Sequence, residues 1–478
     1  MKNIYALFSI SVLTSFNMIA SAQTRESLDS QRDAQMPSTG HSQMPGMPRD
    51  LGSMQMGSSA ETTPDLLKDL ATRSAMQLSQ FEQLALAANP TLVQANAMVR
   101  QSTAQAKQAG LYPNPLIGYQ GEQIRGGTYG GGEQGGFVQQ NIVLGGKLGL
   151  RRDVYEQQRQ ADEISVAEQH QRILSDVGQS FYSALAAQEV VNTRRRLLGL
   201  AMDALETAHQ LANVGQADAP DVLQSEVEAE QAKIDYLTAQ RMYLRDFNTL
   251  AALVNKPDLP LAPLTGSLEN PPPINEDQVI EQIVRDSPAV KRAQQDAVRA
   301  AAEVKSAKRE SIPDIQLRAG VQQNLERLSE GNPRTVGVQV FASAGIALPI
   351  FNRNQGNIAA ASATLARAQS EISRLQLSLR RNAQPLVQSY LSGQMEAGRY
   401  KNEMIPRAMR AYQLYLRKYQ QMGAAYPQVL VSQRTYFQLQ ISYIHALEQL
   451  WRDAIALQNY TLTDGLTAPT PSAAKPIK

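Results

Sequence analysis

Residues Lys147 to Asn213 run for 67 positions without a proline. The stretch is rich in Ala, Gln, Glu, Arg and Leu, which are good helix formers. Val166, Ile173, Val177, Phe181, Ala184 and Val191 recur at helical spacing. Gly149, Gly178 and Gly199 interrupt the composition, but each costs only ~1 kcal/mol against alanine and does not force a stop. Read as one helix at 1.5 Å per residue, the stretch is roughly 100 Å long. That is several times the diameter of an ordinary domain. Such a helix belongs to a coiled-coil arm or to the wall of a large tubular assembly.

The N-terminus reads as a secretory signal. Lys2 supplies the positive end, Ile4 to Ile19 the apolar stretch and Ala20-Ser21-Ala22 the cleavage pattern, so residues 1–22 are expected to be removed. Ser9, Ser11, Thr14, Ser15 and Asn17 make this stretch too polar and too short for a membrane anchor. The sequence has no cysteine, which removes disulfides, thiolate metal sites and thiol nucleophiles, and with them lipid attachment after the cleavage point. Acids and bases nearly balance at a formal net charge of +2, which argues against a nucleic-acid partner. No later run reaches the ~20 apolar residues of a transmembrane helix, so a membrane role has to come from β-strands.

Residues 23–65 are poor in large aliphatics and rich in Ser, Gln, Gly and Pro, the composition of a disordered tail. Five of the chain's 15 methionines fall there: Met36, Met44, Met47, Met54 and Met56, with His41 among them. Thioether sulfur selects Cu(I), and by the same softness Ag(I), so these residues are candidate soft-metal contacts.

The mature chain then repeats itself. A helical segment from Gln77 to Gly110, broken at Asn89-Pro90, leads to Pro113-Asn114-Pro115. An extended segment, Leu116 to Ile124, precedes a glycine-rich loop, Gly126 to Gly136, and a second strand candidate, Phe137 to Leu144. The long helix follows and ends at Val214-Gly215. Pro220 opens a helix that reaches about Asn255. After a proline-rich linker over 257–275 the order recurs. Ser287-Pro288 stands for Asn89-Pro90 and Ile312-Pro313 for Tyr112-Pro113. Met422-Gly423 stands for Val214-Gly215, and Pro427-Gln428-Val429-Leu430 for Pro220-Asp221-Val222-Leu223. The repeats span 66–256 and 276–462, followed by a tail over 463–478. Pro385 and Pro406 fall inside the second long helical stretch, Gln355 to Gln421, where each is expected to kink it or interrupt its bonding.

The strands of the second repeat set the environment. Ile315, Leu317, Ala319 and Val321 alternate with Gln316, Arg318, Gly320 and Gln322. Val336, Val338, Val340, Ala342, Ala344, Ile346 and Leu348 alternate mainly with polar or small residues. Period-two alternation over about ten residues suits a transmembrane strand, although a half-buried soluble sheet shows it too. Four strands per chain cannot close a barrel, whose smallest bacterial form has about 8. Two chains would supply eight strands and three would supply twelve.

This ordered set resembles the outer-membrane efflux protein (TolC-like) family, in its heavy-metal, CzcC- and CusC-like branch. The resemblance covers roughly Phe81 to Leu462. It is carried by the duplicated order, the two X-Pro helix starts, Leu111-Tyr112-Pro113-Asn114-Pro115, Leu144-Gly145-Gly146-Lys147, Leu348-Pro349-Ile350-Phe351-Asn352 and the two glycine tips. It implies a mainly α fold with a transmembrane β-barrel. In a homotrimer, twelve strands in outer-membrane lipid would continue into a twelve-stave periplasmic α-barrel. The Gly126–Gly136 and Gln323–Thr335 loops would face outward. The tips at Val214, Gly215, Met422 and Gly423 would meet a periplasmic adaptor, with an inner-membrane pump beyond it. Asp218, Asp221, Arg417 and Tyr419 are the candidate residues of a closed periplasmic aperture. The resemblance implies a passive duct, with no catalytic residues and no cofactor.

No catalytic motif competes. Gly145-Gly146-Lys147 lacks the spacing of a phosphate loop, and no His-Glu-x-x-His or Gly-x-Ser-x-Gly occurs. Arg194-Arg195-Arg196 reads as a solvated helix face. The expected function is an exit duct for heavy-metal ions, copper or silver by the softness of the tail. The alternatives are a duct for drugs or secreted proteins and, from another class, a periplasmic coiled-coil adaptor or scaffold.

Overall fold

Proline at the first or second helical position opens helix after helix, because the N–H it lacks would have no partner there. The computed structural model describes residues 73–126, 129–130, 132–215, 218–327, 334–421 and 426–469. The expected signal segment and Met/His tail lie outside them. The first repeat comprises α1 (Leu78–Ala88), α2 (Pro90–Ala109), β1 (Leu116–Glu122), β2 (Arg125–Gly126), β3 (Tyr129–Gly130), β4 (Glu133–Ile142), α3 (Lys147–Asn213) and α4 (Ala219–Leu253). The second comprises α5 (Glu276–Asp286), α6 (Pro288–Arg309), β5 (Ile315–Arg327), β6 (Thr335–Ile346), α7 (Gln355–Arg399), a π turn (Tyr400–Met404), α8 (Ile405–Gln420) and α9 (Tyr426–Gln458). Asn89 separates α1 from α2 and caps the latter: its Oδ1 accepts from the Thr91 backbone N–H at 2.9 Å and the Thr91 hydroxyl at 2.7 Å.

The long stretch is one helix with the expected bounds. Of the six residues read as its apolar stripe, all but Val166 are buried. The two internal prolines act differently. Pro385 sits inside α7 without ending it, whereas Pro406 is the second residue after the π turn. One widened turn takes up the carbonyl that a proline four residues on would otherwise strike.

Two boundaries differ from expectation. The first glycine-rich segment is not loop up to Gly136, because β4 begins at Glu133. The glycines serve the pairing itself: a Cβ on Gly135 would lie 2.1 Å from the Val321 carbonyl on β5. Likewise β5 continues to Arg327, so the second outer connection starts later than Gln323.

The strands form one antiparallel sheet in the order β1-β4-β5-β6, with β2 and β3 as a short separate ladder. β1–β4 and β5–β6 belong one to each repeat, and the β4–β5 pairing joins them. The helices meet across the repeats as well: α3 packs against α2 and α4 of its own half and α6 and α9 of the other. The core centres on Phe81, Phe181, Phe247, Tyr243, Tyr390 and Leu450, all buried.

The proline-rich linker lies along this core as a strap. Gln188 holds Leu264 by both backbone groups, at 2.8 and 3.0 Å. Tyr243 donates to the Ala262 carbonyl (2.7 Å), Trp451 to that of Leu268 (2.9 Å) and Tyr390 to that of Pro272 (2.9 Å). Trp451 also stacks on Tyr182 with ring centroids 3.7 Å apart. Regular structure cannot satisfy a proline-rich backbone, so side chains of α3, α4, α7 and α9 do it.

Lys147, at the start of α3, is buried and paired to Asp314 at 2.8 Å. Asp314 also accepts from the Leu144 backbone N–H at 3.0 Å. The residue read as the end of a glycine turn is thus a staple between the repeats. Burial pushes the Asp314 carboxyl up, but the bonds from Lys147 and Leu144 outweigh it and hold it below the usual carboxylate range. Removing one partner of a buried pair typically costs ~3–5 kcal/mol. Asp314 keeps 26% of its side-chain exposure, so Lys147→Ala is expected to cost about 2–3 kcal/mol. A depressed carboxyl stabilises above its unfolded pKa and loses that contribution as pH falls through the lower folded value. The difference between wild type and Asp314→Asn, read from thermal unfolding, is therefore expected to be full at neutral pH and to shrink below roughly pH 4.

Candidate functional site

The sheet carries its polarity the wrong way round for a water-soluble protein. On one face, matched by register, lie Ile117 and Tyr119 of β1, Val138 of β4, Leu317, Ala319 and Val321 of β5, and Val338, Val340 and Ala342 of β6. These are the open positions: Val340 is 78% exposed, Ile117 77%, Val338 71% and Tyr119 69%. The other face carries Glu122, Gln120, Glu133, Gln139, Arg318, Gln322, Asn324 and Gln339. Polar groups bond one another there, as where Asn324 donates to Glu133 at 2.9 Å. Apolar-out and polar-in alternation is that of a sheet with lipid on one side and water on the other. Among the described residues no helix is long and apolar enough to cross a membrane.

The polar face is shaped by two Gly–Phe pairs. The Phe137 ring lies over Gly118 and the Phe341 ring over Gly320; a Cβ on either glycine would sit 2.5 Å from the ring edge. Arg318 stacks on Phe137, its guanidinium carbon 3.9 Å from the ring centroid, and stands 5.7 Å from Phe341.

At the far end of the helices the expected tip residues divide. Val214 caps α3, and Gly215 takes φ +73°, the left-handed conformation that turns the chain into α4. Met422 and Gly423 lie outside the described residues. Asp218 precedes α4, and its carbonyl accepts the Asp221 N–H at 3.0 Å. Asp221 lies in the first turn of α4 and Tyr419 in the last turn of α8. Burial, and after it the Asp221 charge, push the Tyr419 hydroxyl up. Tyr419 also packs on Tyr426, ring centroids 5.4 Å apart. Asp221 is thus near enough to Tyr419 for its charge to act on the hydroxyl. Arg417 has no ion pair among the described residues.

Sequence reasoning missed the groove beside the tip. It holds about 540 Å³ and is lined by Arg194, Glu228, Asp235, Tyr426 and Arg434 among others. Arg434 of α9 pairs with Glu228 of α4, and Arg194 with Asp235 at 2.7 Å. Arg195 donates to the Tyr236 hydroxyl at 3.2 Å. The Arg194-Arg195-Arg196 run is therefore not simply solvated, because two of its members reach α4. A charge run on one helix does not disclose the partner helix, which here is joined by an antiparallel turn.

The family model "Outer membrane efflux protein" matches residues 82–256. The chain is 26% identical over 352 residues to the cobalt-zinc-cadmium resistance protein CzcC of Cupriavidus metallidurans, covering 73% of this chain and 81% of that one. Over residues 82–256 the chain carries the pattern of the outer membrane efflux protein family. This efflux protein shares its fold with CusC at a TM-score of 0.65 and 18% identity, over 81% of this chain and 92% of that one. It shares it equally with VceC of Vibrio cholerae, at 0.64 and 18%, over 81% and 96%. As an outer-membrane efflux channel it is related to heavy-metal resistance proteins. It resides in the outer membrane with its helices extending into the periplasm.

Proposed function

We propose that three copies of this efflux protein close into one duct through which an inner-membrane pump, coupled by a periplasmic adaptor, expels heavy-metal ions, copper or silver first among them. The observation that carries the proposal is the sheet with its apolar face outward and two unpaired edges, β1 and β6. An open edge in lipid leaves backbone groups without partners, so β6 of one copy pairs with β1 of the next until twelve strands close. The helices continue the wall, Val214, Gly215, Met422 and Gly423 meet the adaptor, and Asp221 with Tyr419 narrows the periplasmic end, with Asp218 and Arg417 beside them. The preference for soft ions rests on Met36, His41, Met44, Met47, Met54 and Met56 in the expected mature tail.

A second reading has its own support, because the relative matched over most of its length is named for cobalt, zinc and cadmium resistance. Growth of a deletion strain across copper, silver, zinc, cobalt, cadmium and a drug panel separates the two. Complementation uses the full gene and one lacking residues 36–56. Copper or silver sensitivity that the shortened gene rescues poorly is the expected result. Sensitivity confined to zinc, cobalt and cadmium, rescued equally by both genes, would overturn the soft-metal assignment and leave the duct. Sensitivity to drugs alone would overturn the metal reading altogether.

A further inference from the structure

We infer that Arg318 is an ion-selectivity determinant of the duct, an anion-attracting site set behind an acidic layer. The inference rests on the closed-barrel reading proposed above, which turns the polar face of the sheet toward the lumen.

Register divides that face into layers. The layer where all four strands are still paired holds Glu122, Glu133 and Asn324, with only the β5–β6 ladder running on to Arg327; then come Gln120, Gln322 and Gln339. Next come Gly118, Phe137, Gly320 and Phe341, and behind them Gln139, Arg318 and Ser343. Within these four layers Arg318 is the one cation. Among the described residues no carboxylate pairs with it and no side-chain hydrogen bond engages it, and its Nε is buried without a partner.

The charge is therefore not neutralised within the wall. The acids on the same face are six residues away along β5, about 20 Å at strand rise. That exceeds the ~8 Å Debye length at physiological salt, so they do not neutralise it through the lumen. Stacking between Phe137 and Phe341 holds the guanidinium in place, and the glycines opposite make room for the rings. Rings of arginine or lysine favour anions in pores. Closure of the barrel would repeat this one in every copy. A metal leaving as an anionic or neutral complex meets no barrier at this layer, whereas a bare cation meets like charge.

The absence of cysteine from the chain supplies the test. Ser343→Cys places a thiol directly opposite Arg318 in the register, and Ala342→Cys places one on the apolar face. The full chain is reconstituted in liposomes and treated with methanethiosulfonate reagents carrying a sulfonate or a trimethylammonium group. Reaching the thiol from the outer mouth does not require the periplasmic aperture to open. In the Ser343→Cys protein the rate ratio of anionic over cationic reagent is expected to fall about threefold or more when Arg318→Gln is added, and to hold with Arg318→Lys. An unchanged ratio in Arg318→Gln overturns the inference and leaves the duct standing. A thiol at position 343 that reacts with neither reagent, or one at position 342 that reacts as fast, overturns the lumen reading on which it rests.

Discussion

Val340→Arg is expected to abolish assembly of the outer-membrane form. Val340 stands on β6 with 78% of its surface open, opposite Val321 and between Val338 and Ala342 on the apolar face. An arginine on the lipid face of a barrel costs about 2–4 kcal/mol near the bilayer midplane. In the proposed trimer that cost is carried three times, roughly 6–12 kcal/mol, comparable with the whole stability of an ordinary domain. Gln339→Arg, one residue away on the opposite face, places the same charge toward water and is expected to assemble normally. Heat-modifiable mobility of the protein in outer-membrane fractions reads both. Normal assembly of Val340→Arg, or failure of both variants alike, would refute the assignment of the faces.

The second large effect lies in the helical core. Phe181 is 1% exposed, with Phe81 at 5.9 Å and Tyr182 at 5.5 Å between ring centroids. Its ring also lies against the strap, 3.5 Å from where a Cβ on Gly266 would stand. Phe181→Ala removes the ring that α1, α3 and the strap share, and surroundings made of helix and pinned strap collapse poorly into the space. The expected cost is ~3–5 kcal/mol. Trypsin sensitivity of the folded protein and its unfolding midpoint in guanidinium both report it. A midpoint within error of wild type would show that the strap and α1 do not depend on this contact. Val166→Ala in the same helix is the comparison, because Val166 is only half-buried and is expected to cost under about 1 kcal/mol.

The legible and the hidden parts of the fold and of the site divide along the same line. Helix bounds are legible because proline and glycine act where they stand: Asn89-Pro90, Ser287-Pro288 and Gly215 each mark a boundary that the structure places there. Strand bounds are less legible at Gly135, since a glycine in a loop and a glycine under a neighbouring strand look alike in one dimension. Asp221 and Tyr419 share a short distance to the two tips in sequence, and the Asp221 charge reaches the Tyr419 hydroxyl. Arg318 is visible as a cation in an alternating strand, but nothing local discloses the two rings, Phe137 and Phe341, that stand about it.

The long helix, the duplicated order, the alternation of the second-repeat strands and the X-Pro starts are legible in the chain read on its own. All of these are written in spacings of a few residues, and the backbone answers them locally. Which residues lie beside which was settled by the folded arrangement. It joined the repeats at β4 and β5, far apart in the chain, buried Lys147 against Asp314, pinned the strap to Gln188 and Trp451, and set Phe137 and Phe341 about Arg318. Those neighbours depend on register across strands and on the faces that helices turn to one another. No local spacing encodes either, because both are settled by closing the whole arrangement at once.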